Sequence, residues 1–280
     1  MGTTRASIFS FSFLYVVVAI LVLPLGLASA NNASSVSFGY SGPNGPAKWG
    51  SLSPKYQACG SGKSQSPIDI RRKEAVEDKK LQKLEGNYRS VGASLINTGR
   101  NVMVHFDDSP GELEIEGKTY RLKQMHWHSP SEHTIDGQQY ALELHMVHQA
   151  DDESFAVAAI LYEYGPEDKF LKKMKDGLQE LAKDKYSADE EAQVPLKKKM
   201  KCKMLKKTTS HHKYYRYVGS ITSPPCSENV IWSVLARPKT VSREQVKALT
   251  APLPDGFKVN ARPVQPLNGR KVELFKQHSP

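Results

Sequence analysis

The chain has 280 residues and a formal net charge of +10 at pH 7. This length allows one large β-rich domain or two ordinary ones, and either could bury a substantial core. No segment after residue 30 is apolar for long enough to cross a bilayer, which excludes a membrane span beyond that point. The basic balance favours anionic surroundings without identifying them, and we expect no nucleic-acid partner.

Residues 1–30 have the pattern of a signal peptide for export. Arg5 precedes an apolar run over residues 13–27, and the small residues 28–30 provide a cleavage site. A membrane span is the competing interpretation, but the run is short for the roughly 20 residues that a crossing helix needs, and Pro24 and Gly26 interrupt it. We therefore expect cleavage after residue 30 and passage through the secretory pathway.

Export has two consequences for the residues that remain. It makes Asn32, in the motif Asn32-Ala33-Ser34, a possible glycosylation acceptor, and its use stays open. It also places three cysteines, an odd number, in an oxidising compartment, where one disulfide and one free thiol are expected. The cysteines are Cys59, Cys202 and Cys226.

Strand patterns dominate the chain after an N-terminal arm. Residues 31–66 are rich in Gly, Ser and Pro, which predicts an arm of turns laid on a core. Further strands are expected at 214–219 and 230–235, before a Pro-rich C-terminus that starts near residue 251. The earlier predicted strands are 101–106, a hairpin from 113–115 through Gly117 into 120–128, then 141–148 and 155–164.

One amphipathic helix is predicted after residues 166–168, ending near Asp184. Its apolar residues recur at about one-turn intervals, at Phe170, Leu171, Met174, Leu178 and Leu181. The stretch 196–207 contains seven lysines and no acidic residue, and we interpret it as a solvated basic loop, with an anion-binding or membrane-surface patch as the alternative. No repeat or linker divides the chain, so we expect a single domain over residues 31–280, with its core at about 38–265.

Histidines recur at strand spacing in two of the predicted strands. Side chains two apart on a strand share a face, so one face of 120–128 should carry Tyr120, Leu122, Gln124, His126 and His128. By the same rule Glu143, His145 and Val147 lie together, opposite Leu142, Leu144, Met146 and His148. If the two strands are neighbours, His145 completes a site of three imidazoles.

Three neutral imidazoles suit Zn²⁺, because they leave a fourth position for a water that the metal can acidify. Ligand imidazoles usually donate their other N–H to an acceptor, and Gln124 and Glu143 each lie two residues before a candidate ligand. The alternative is that the pair His126 and His128 is structural. We expect His148 to pack or to form hydrogen bonds, and the remaining histidines considered as non-ligands are His105, His133, His211 and His212.

Several ordered motifs resemble those of α-carbonic anhydrases, over nearly the whole chain from residue 38 to 263. The plant branch, which includes the tuber storage proteins called dioscorins, is the most similar. The resemblance implies a large twisted, mostly antiparallel sheet with a few short peripheral helices, a mainly β (α+β) fold. The motifs are Gln65-Ser66-Pro67-Ile68-Asp69-Ile70, Gln124-Met125-His126-Trp127-His128, Ser131-Glu132-His133-Thr134, Glu143-Leu144-His145-Met146-Val147-His148 and residues 219–226.

The resemblance also implies the chemistry and its residues. His126, His128 and His145 would bind Zn²⁺, and zinc-bound hydroxide, oriented by Thr222 and Glu132, would hydrate CO2 reversibly to bicarbonate. Thr222 and Ser223 would lie beside bicarbonate. Cys59 and Cys226 match the family's disulfide, which leaves Cys202 as the odd thiol. The apolar CO2 pocket would consist of Val147, Val157, Ile221 and Trp232.

Two departures from the family qualify this interpretation. Arg100 occupies the place of the histidine that shuttles protons in fast members, and arginine holds its proton at physiological pH, so we expect slow turnover that responds to imidazole buffer. Tyr40, which matches a tyrosine of the cleft network, is retained. The lysine-rich segment 197–207 has no functional interpretation. The alternative function is a dioscorin-like storage or binding protein, and the expected compartment is the apoplast, or a plastid reached through the secretory route.

Overall fold

The computed structural model describes residues 37–84, 86–183, 192–197, 199–201 and 213–277. The predicted signal peptide, Asn32, Cys202 and most of the lysine-rich segment lie outside these ranges. None of the helices described is both long and apolar enough to span a bilayer.

The strands carry most of the architecture. In chain order they are β1 (Asp69–Ile70), β2 (Val76–Glu77), β3 (Gly86–Tyr88), β4 (Ser90–Val91), β5 (Ala93–Asn97), β6 (Val102–Phe106), β7 (Gly111–Ile115), β8 (Lys118–His128), β9 (Thr134–Ile135), β10 (Gln138–Gln139), β11 (Leu142–Gln149), β12 (Phe155–Tyr164), β13 (Ala192–Pro195), β14 (Met200–Lys201), β15 (Lys213–Ser220), β16 (Glu228–Leu235), β17 (Lys239–Val241) and β18 (Glu273–Lys276).

The helices described are short and peripheral. The α-helices are α1 (Trp49–Leu52), α2 (Ala58–Ser61), α3 (Lys169–Lys172), α4 (Lys175–Leu181) and α5 (Arg243–Thr250), and the 3₁₀ turns are Gly42–Asn44, Pro46–Lys48, Pro54–Tyr56 and Asp255–Phe257.

A 13-stranded sheet positions the site, with its main path in the order β13-β5-β6-β8-β11-β12-β16-β15-β18-β2. Most neighbouring strands are antiparallel, whereas β12 pairs with β16 and β17, and β18 with β2, in parallel. The fold class expected from the sequence is therefore confirmed. The predicted hairpin is formed by β7 and β8, and β11 pairs with β8 so that His145 lies opposite His126 and Glu143 opposite His128.

Strand β11 alternates as predicted. Leu142, Leu144 and Met146 pack into the largest apolar cluster, together with residues of β5, β6 and β12 and with helices α3 to α5. Val147, on the other face, packs with Val157 and Trp232 in a second cluster. The two faces of one strand thus serve different parts of the molecule.

The predicted face of β8 is wrong at its first half. Leu122 does not share the face of His126 and His128 but packs in the main core with Met125 and Trp127. The cause is a β-bulge: the register with β11 shifts, so that Gln124 pairs with Val147 and Leu122 pairs with His148, which leaves Lys123 as an extra residue. One extra residue reverses the alternation of side chains along a strand.

The predicted single helix is also corrected. The structure has two short helices there, α3 and α4, which are separated at Lys173 and Met174. Asp168 caps α3, and its carboxylate accepts the N–H groups of Phe170 and Leu171. The longest helix of the described residues is instead α5, which begins with a capping box of Ser242 and Gln245.

The N-terminal arm consists of short helical turns, in agreement with its turn-rich sequence. Trp49 is fully buried, and its indole N–H donates to the carbonyls of Gly39 and Asn44. Phe38 and the disulfide between Cys59 and Cys226 complete a small apolar cluster around it. The arm is thereby fixed to the loop that follows β15.

Candidate metal centre

Three imidazoles converge where β8 and β11 pair. The ring centroids of His126, His128 and His145 lie 4.7 to 5.1 Å from one another. One nitrogen of each ring comes within 4.8 Å of the corresponding nitrogen of the other two, a spacing that could hold a metal ion. His128 and His145 are buried, and His126 is partly exposed. The strand register brings the three together as the sequence predicts.

In each ring, the nitrogen that points away from this meeting point contacts a hydrogen-bond acceptor. His126 Nδ1 lies 2.8 Å from Gln124 Oε1, His128 Nδ1 lies 2.7 Å from the Asn260 carbonyl, and His145 Nε2 lies 2.8 Å from Glu143 Oε1. These contacts place the N–H on the side away from the centre. Gln124 and Glu143 therefore make the contacts predicted for them, and Asn260 is an acceptor that the sequence did not reveal.

The remaining nitrogens are left as free lone pairs that face one point. His128 Nε2 is buried and has no hydrogen-bond partner among the described residues. His126 Nε2 lies 3.3 Å from His145 Nδ1, although both rings already donate to other acceptors. An orphaned buried nitrogen beside two others fits a tetrahedral metal with three imidazole ligands, which is the donor set that Zn²⁺ accepts in catalytic sites.

Burial favours the neutral form of all three rings. Desolvation is the largest cause that lowers the pKa of His126, His128 and His145, and the neighbouring imidazoles lower it further. Neutral imidazole is the protonation state that binds metal. The site therefore holds its ligand atoms ready at physiological pH.

Glu143 is the centre of a buried hydrogen-bond network. Its Oε2 accepts the backbone N–H groups of Glu132 and His133, each at 2.8 Å, and its Oε1 lies 2.6 Å from His133 Nδ1 and 2.8 Å from His145 Nε2. Burial alone would raise the pKa of Glu143, but the two imidazoles and these hydrogen bonds lower it well below its usual value. A buried carboxylate is thus compensated on both oxygens.

His133 extends this network away from the three converging imidazoles. Its Nε2 lies 2.6 Å from the hydroxyl of Tyr217, which in turn lies 2.8 Å from Ser66 Oγ. Sequence reasoning placed His133 outside the ligand set but gave no role to its ring or to Tyr217. Only the motif Ser131-Glu132-His133-Thr134 singled out this segment.

Glu132 lies beside the candidate ligands and close to Thr222. Its Oε1 accepts the Arg262 backbone N–H at 2.9 Å and lies 3.5 Å from His128 Nδ1. Burial raises the pKa of Glu132 to about 7, while His145, the Thr222 side chain and Arg262 oppose the rise. Thr222 interacts with this carboxyl group, although Oε2 of Glu132 makes no hydrogen bond of regular geometry among the described residues. The pair predicted to act together is therefore brought together.

The four residues predicted to form an apolar pocket also meet. Val147, Val157 and Trp232 belong to one buried cluster, and Ile221 packs against it. The Trp232 ring centroid lies 4.9 Å from that of His145, so this apolar wall borders the candidate centre. Ser223 follows Thr222 in the turn to Cys226, whose N–H donates to the Ser223 carbonyl at 2.8 Å.

The disulfide between Cys59 and Cys226 is confirmed, with the sulfurs 2.12 Å apart. It joins α2 to the loop that carries Thr222. Arg100 lies with its guanidinium carbon 4.4 Å from the centroid of the Phe38 ring. Tyr40 packs edge-on against Phe38 and Trp49, and burial, assisted by Glu132, raises the pKa of its phenol well above the usual value.

His148 is a fully partnered histidine, in agreement with its predicted packing role. Its Nε2 lies 2.8 Å from the Tyr88 hydroxyl and its Nδ1 lies 2.9 Å from the Met146 carbonyl. His105 is exposed on β6. His211 and His212 lie outside the described residues.

Comparison with known proteins identifies the family. A family model described as eukaryotic-type carbonic anhydrase matches residues 44–276. Alpha carbonic anhydrase 7 of Arabidopsis thaliana is 42% identical over 232 residues, which cover 83% of this chain and 82% of that protein.

Two solved structures have the same architecture. A dioscorin complexed with ascorbate has a TM-score of 0.80 and 36% identity, covering 87% of this chain and 100% of that one. The α-carbonic anhydrase of Thermovibrio ammonificans, complexed with the inhibitor sulfanilamide, has a TM-score of 0.73 and 36% identity, covering 85% and 99%. By sequence and by fold, the chain belongs to the eukaryotic-type carbonic anhydrase family.

Proposed function

We propose that this protein binds Zn²⁺ through His126, His128 and His145 and catalyses the reversible hydration of CO2 to bicarbonate. The observation that carries the proposal is the buried His128 Nε2, which has no partner among the described residues and faces the free nitrogens of the other two rings. A zinc ion held by three neutral imidazoles supplies Lewis acidity that makes water a nucleophile near neutral pH. Membership of the family supports the same chemistry.

The surrounding residues orient the reactants. Gln124, the Asn260 carbonyl and Glu143 fix the tautomers and the ring planes of the three histidines. If the Thr222 hydroxyl donates to Glu132, its oxygen lone pairs remain free to accept a hydrogen bond from the attacking water. In that role Thr222 is a catalytic residue and Glu132 positions its hydroxyl.

The apolar wall explains how CO2 would be held. A substrate with no net charge or dipole is best accommodated by apolar side chains, here Val147, Val157, Ile221 and Trp232. Bicarbonate would instead contact the Thr222 backbone N–H and Ser223. CO2 would therefore lie beside His145, and bicarbonate would lie beside the turn that contains Thr222 and Ser223.

The proton leaves by a slower route than a histidine would provide. The Arg100 guanidinium keeps its proton and packs on Phe38, so it cannot relay one. Water molecules near Tyr40 would then carry protons to the bulk solvent. We expect the maximal hydration rate to rise with imidazole buffer concentration, measured by stopped-flow CO2 hydration. A maximal rate that is independent of buffer would contradict this limit.

Zinc content and CO2 hydration of the purified protein test the proposal, with His145→Gln as the site variant and His105→Gln as its control. His105 is an exposed histidine on the neighbouring strand and is not one of the three converging imidazoles, so its loss tests the removal of an imidazole that is not a candidate ligand. We expect one zinc per chain and hydration in the wild type and in His105→Gln, and neither in His145→Gln. Absence of zinc from the wild type, or equal hydration by all three proteins, rejects the proposal.

A dioscorin-like storage or binding protein is the second candidate. It is favoured by the TM-score of 0.80 to a dioscorin that was solved with ascorbate. Titration with ascorbate, followed by calorimetry, separates the two. Ascorbate binding without zinc or CO2 hydration supports the storage or binding function, and hydration without ascorbate binding supports the enzyme alone.

We further propose that residues 31–280 form one catalytic domain that is exported after cleavage at residue 30. The disulfide between Cys59 and Cys226 is compatible with an oxidising compartment. Mass spectrometry of the protein recovered from the apoplast checks the new N-terminus and any glycan on Asn32. A chain that still begins at Met1 contradicts the cleavage.

A further inference from the structure

Arg262 is a buried arginine whose guanidinium contacts the N-terminal arm. Only 2% of the residue is exposed. Its Nη1 donates to Gln65 Oε1 at 2.9 Å and to the Ser66 carbonyl at 2.7 Å, and its Nη2 donates to the Cys59 carbonyl at 2.9 Å. The guanidinium carbon lies 5.6 Å from the Trp49 ring centroid. Every one of these acceptors belongs to the arm or to the segment that follows it.

The backbone of the same residue contacts the candidate centre. The Arg262 N–H donates to Glu132 Oε1 at 2.9 Å, and two residues earlier the Asn260 carbonyl lies 2.7 Å from His128 Nδ1. Asn260 also receives the Ser129 N–H on its Oδ1 at 2.8 Å. Residues 260–262 therefore lie between the arm on one side and two groups of the centre on the other.

We propose that the Arg262 side chain is a positioning residue for CO2 hydration. It anchors the backbone of residues 260–262 to the arm, and this backbone sets the orientation of the Glu132 carboxyl group. The inference rests on the proposed function. The guanidinium has this role although all of its contacts point away from the centre. It acts on Thr222 only through Glu132. Arg262 itself touches no reacting atom.

The chemistry of the side chain supports this assignment. The guanidinium is planar, and its donors can engage three fixed acceptors at once, which a flexible ammonium cannot do with the same geometry. The Nε atom is buried without a hydrogen-bond partner among the described residues, so only the Nη contacts hold the guanidinium in place. Leaving a buried donor unpaired is unfavourable, so the Nη contacts must offset this cost.

Arg270 provides a matched control because it is tethered in the same way. Its Nη2 donates to the Gln65 carbonyl at 2.8 Å and its Nη1 to the Val218 carbonyl at 3.0 Å. Its guanidinium also lies over an aromatic ring, 5.6 Å from the centroid of Tyr217. Its backbone N–H donates to the Leu267 carbonyl at 3.1 Å and not to Glu132. Arg270 is only partly buried, but a purely structural role for arginines tethered to the arm would still give the two residues losses of the same kind.

The experiment compares Arg262→Met, Arg262→Lys and Arg270→Met in the protein that comprises residues 31–280. We expect Arg262→Met to lower kcat by roughly tenfold or more with little change in KM, because an interaction realised in the transition state is weakened. Arg270→Met should keep the wild-type kcat, and Arg262→Lys should restore only part of it. All variants should bind one zinc, measured by metal analysis.

A readout on the zinc-free protein makes the test independent of catalysis. Hydrogen exchange should accelerate in peptides covering residues 49–66 of Arg262→Met, with a smaller change in Arg270→Met. Equal kcat values in Arg262→Met and the wild type overturn the inference, as do parallel losses of kcat and thermal stability in both methionine variants. Failure of the wild type itself to bind zinc or hydrate CO2 rejects the proposed function instead, so the two failures are distinguishable.

Discussion

The two faces of strands β8 and β11 are both buried, but one carries apolar side chains and the other carries polar ones. On one face, Leu144 and Met146 pack with Trp127 in the main core and need no partners for their side chains. On the other face, His128 and Glu143 are equally buried, yet both carry polar atoms. The backbone, the register and the depth are shared, so only the side chains distinguish the faces.

The difference shows what makes a buried polar face stable and reactive. Both Glu143 oxygens are saturated by four donors, and each ligand ring has one nitrogen held by an acceptor. Of the ring nitrogens, those left without an acceptor or donor of their own face the centre, where His128 Nε2 has no partner among the described residues. Unlike the apolar face, the polar face depends on a few specific contacts, and single substitutions should reveal that dependence.

The largest effect is expected from Glu143→Gln. The variant has one acceptor oxygen fewer and introduces an NH₂ group against donors, so the free energy of unfolding of the zinc-free protein should fall by about 3–5 kcal/mol. Zinc affinity should also fall, by roughly 10–100-fold, because His145 loses its acceptor. Urea denaturation and competition with a chelator measure the two quantities.

Glu163→Gln is the control, since Glu163 is an exposed carboxylate on β12. It should change neither stability nor zinc affinity. If Glu143→Gln behaved in the same way, the polar face would not depend on this carboxylate.

Leu144→Ala should destabilise the apolar face without affecting the centre. Leu144 is 1% exposed, and its truncation leaves a cavity, so we expect a loss of about 3–4 kcal/mol in urea denaturation. The zinc dissociation constant and the hydration rate per folded molecule should stay at wild-type values. A change in zinc affinity like that of Glu143→Gln would show that the two faces are not separable.

The smallest effect concerns pH and His148, a polar residue on the apolar face. Burial lowers the pKa of His148 from 6.5 to about 4, a difference worth at most about 3 kcal/mol. Above pH 6.5 this residue is neutral in both states. As pH falls from 6.5 to 4, the unfolded chain takes up the proton and the folded protein does not, so stability decreases.

Comparing the zinc-free wild type with His148→Gln separates the effect of this residue from that of the three candidate ligand histidines. The variant should lose less stability than the wild type between pH 7 and pH 4, measured by urea denaturation at several pH values. Parallel pH profiles for the two proteins would exclude a contribution from His148.

The local parts of the fold were predictable from the sequence. Alternation identified β6, a mostly apolar run of strand length identified β12, and Gly117 marked the hairpin of β7 and β8. The bulge at Lys123 was not predicted, although the core-facing apolar residues change parity across it, from Leu122 to Met125 and Trp127. Helix α5 was missed although its capping residues, Ser242 and Gln245, stand at the spacing of a capping box.

The site divides in the same way between local and distant residues. Gln124 and Glu143 could be assigned from strand parity, because each lies two residues from the ring it contacts. Tyr217, Asn260 and Arg262 could not, because they reach the centre from segments 84, 132 and 130 positions away in the chain. The periodicity of residue types along a strand or helix does not reveal contacts between residues so far apart in the sequence.

The disulfide has a consequence for proteolysis. Cys59 and Cys226 are separated by 167 positions, so the bond closes a covalent ring that contains every strand from β1 to β15. The seven lysines of residues 197–207 lie inside this ring and are potential trypsin sites. A chain cut there would remain one molecule, with the arm and the Thr222 loop still joined. It would migrate as a single species without reductant and separate into two fragments only after reduction.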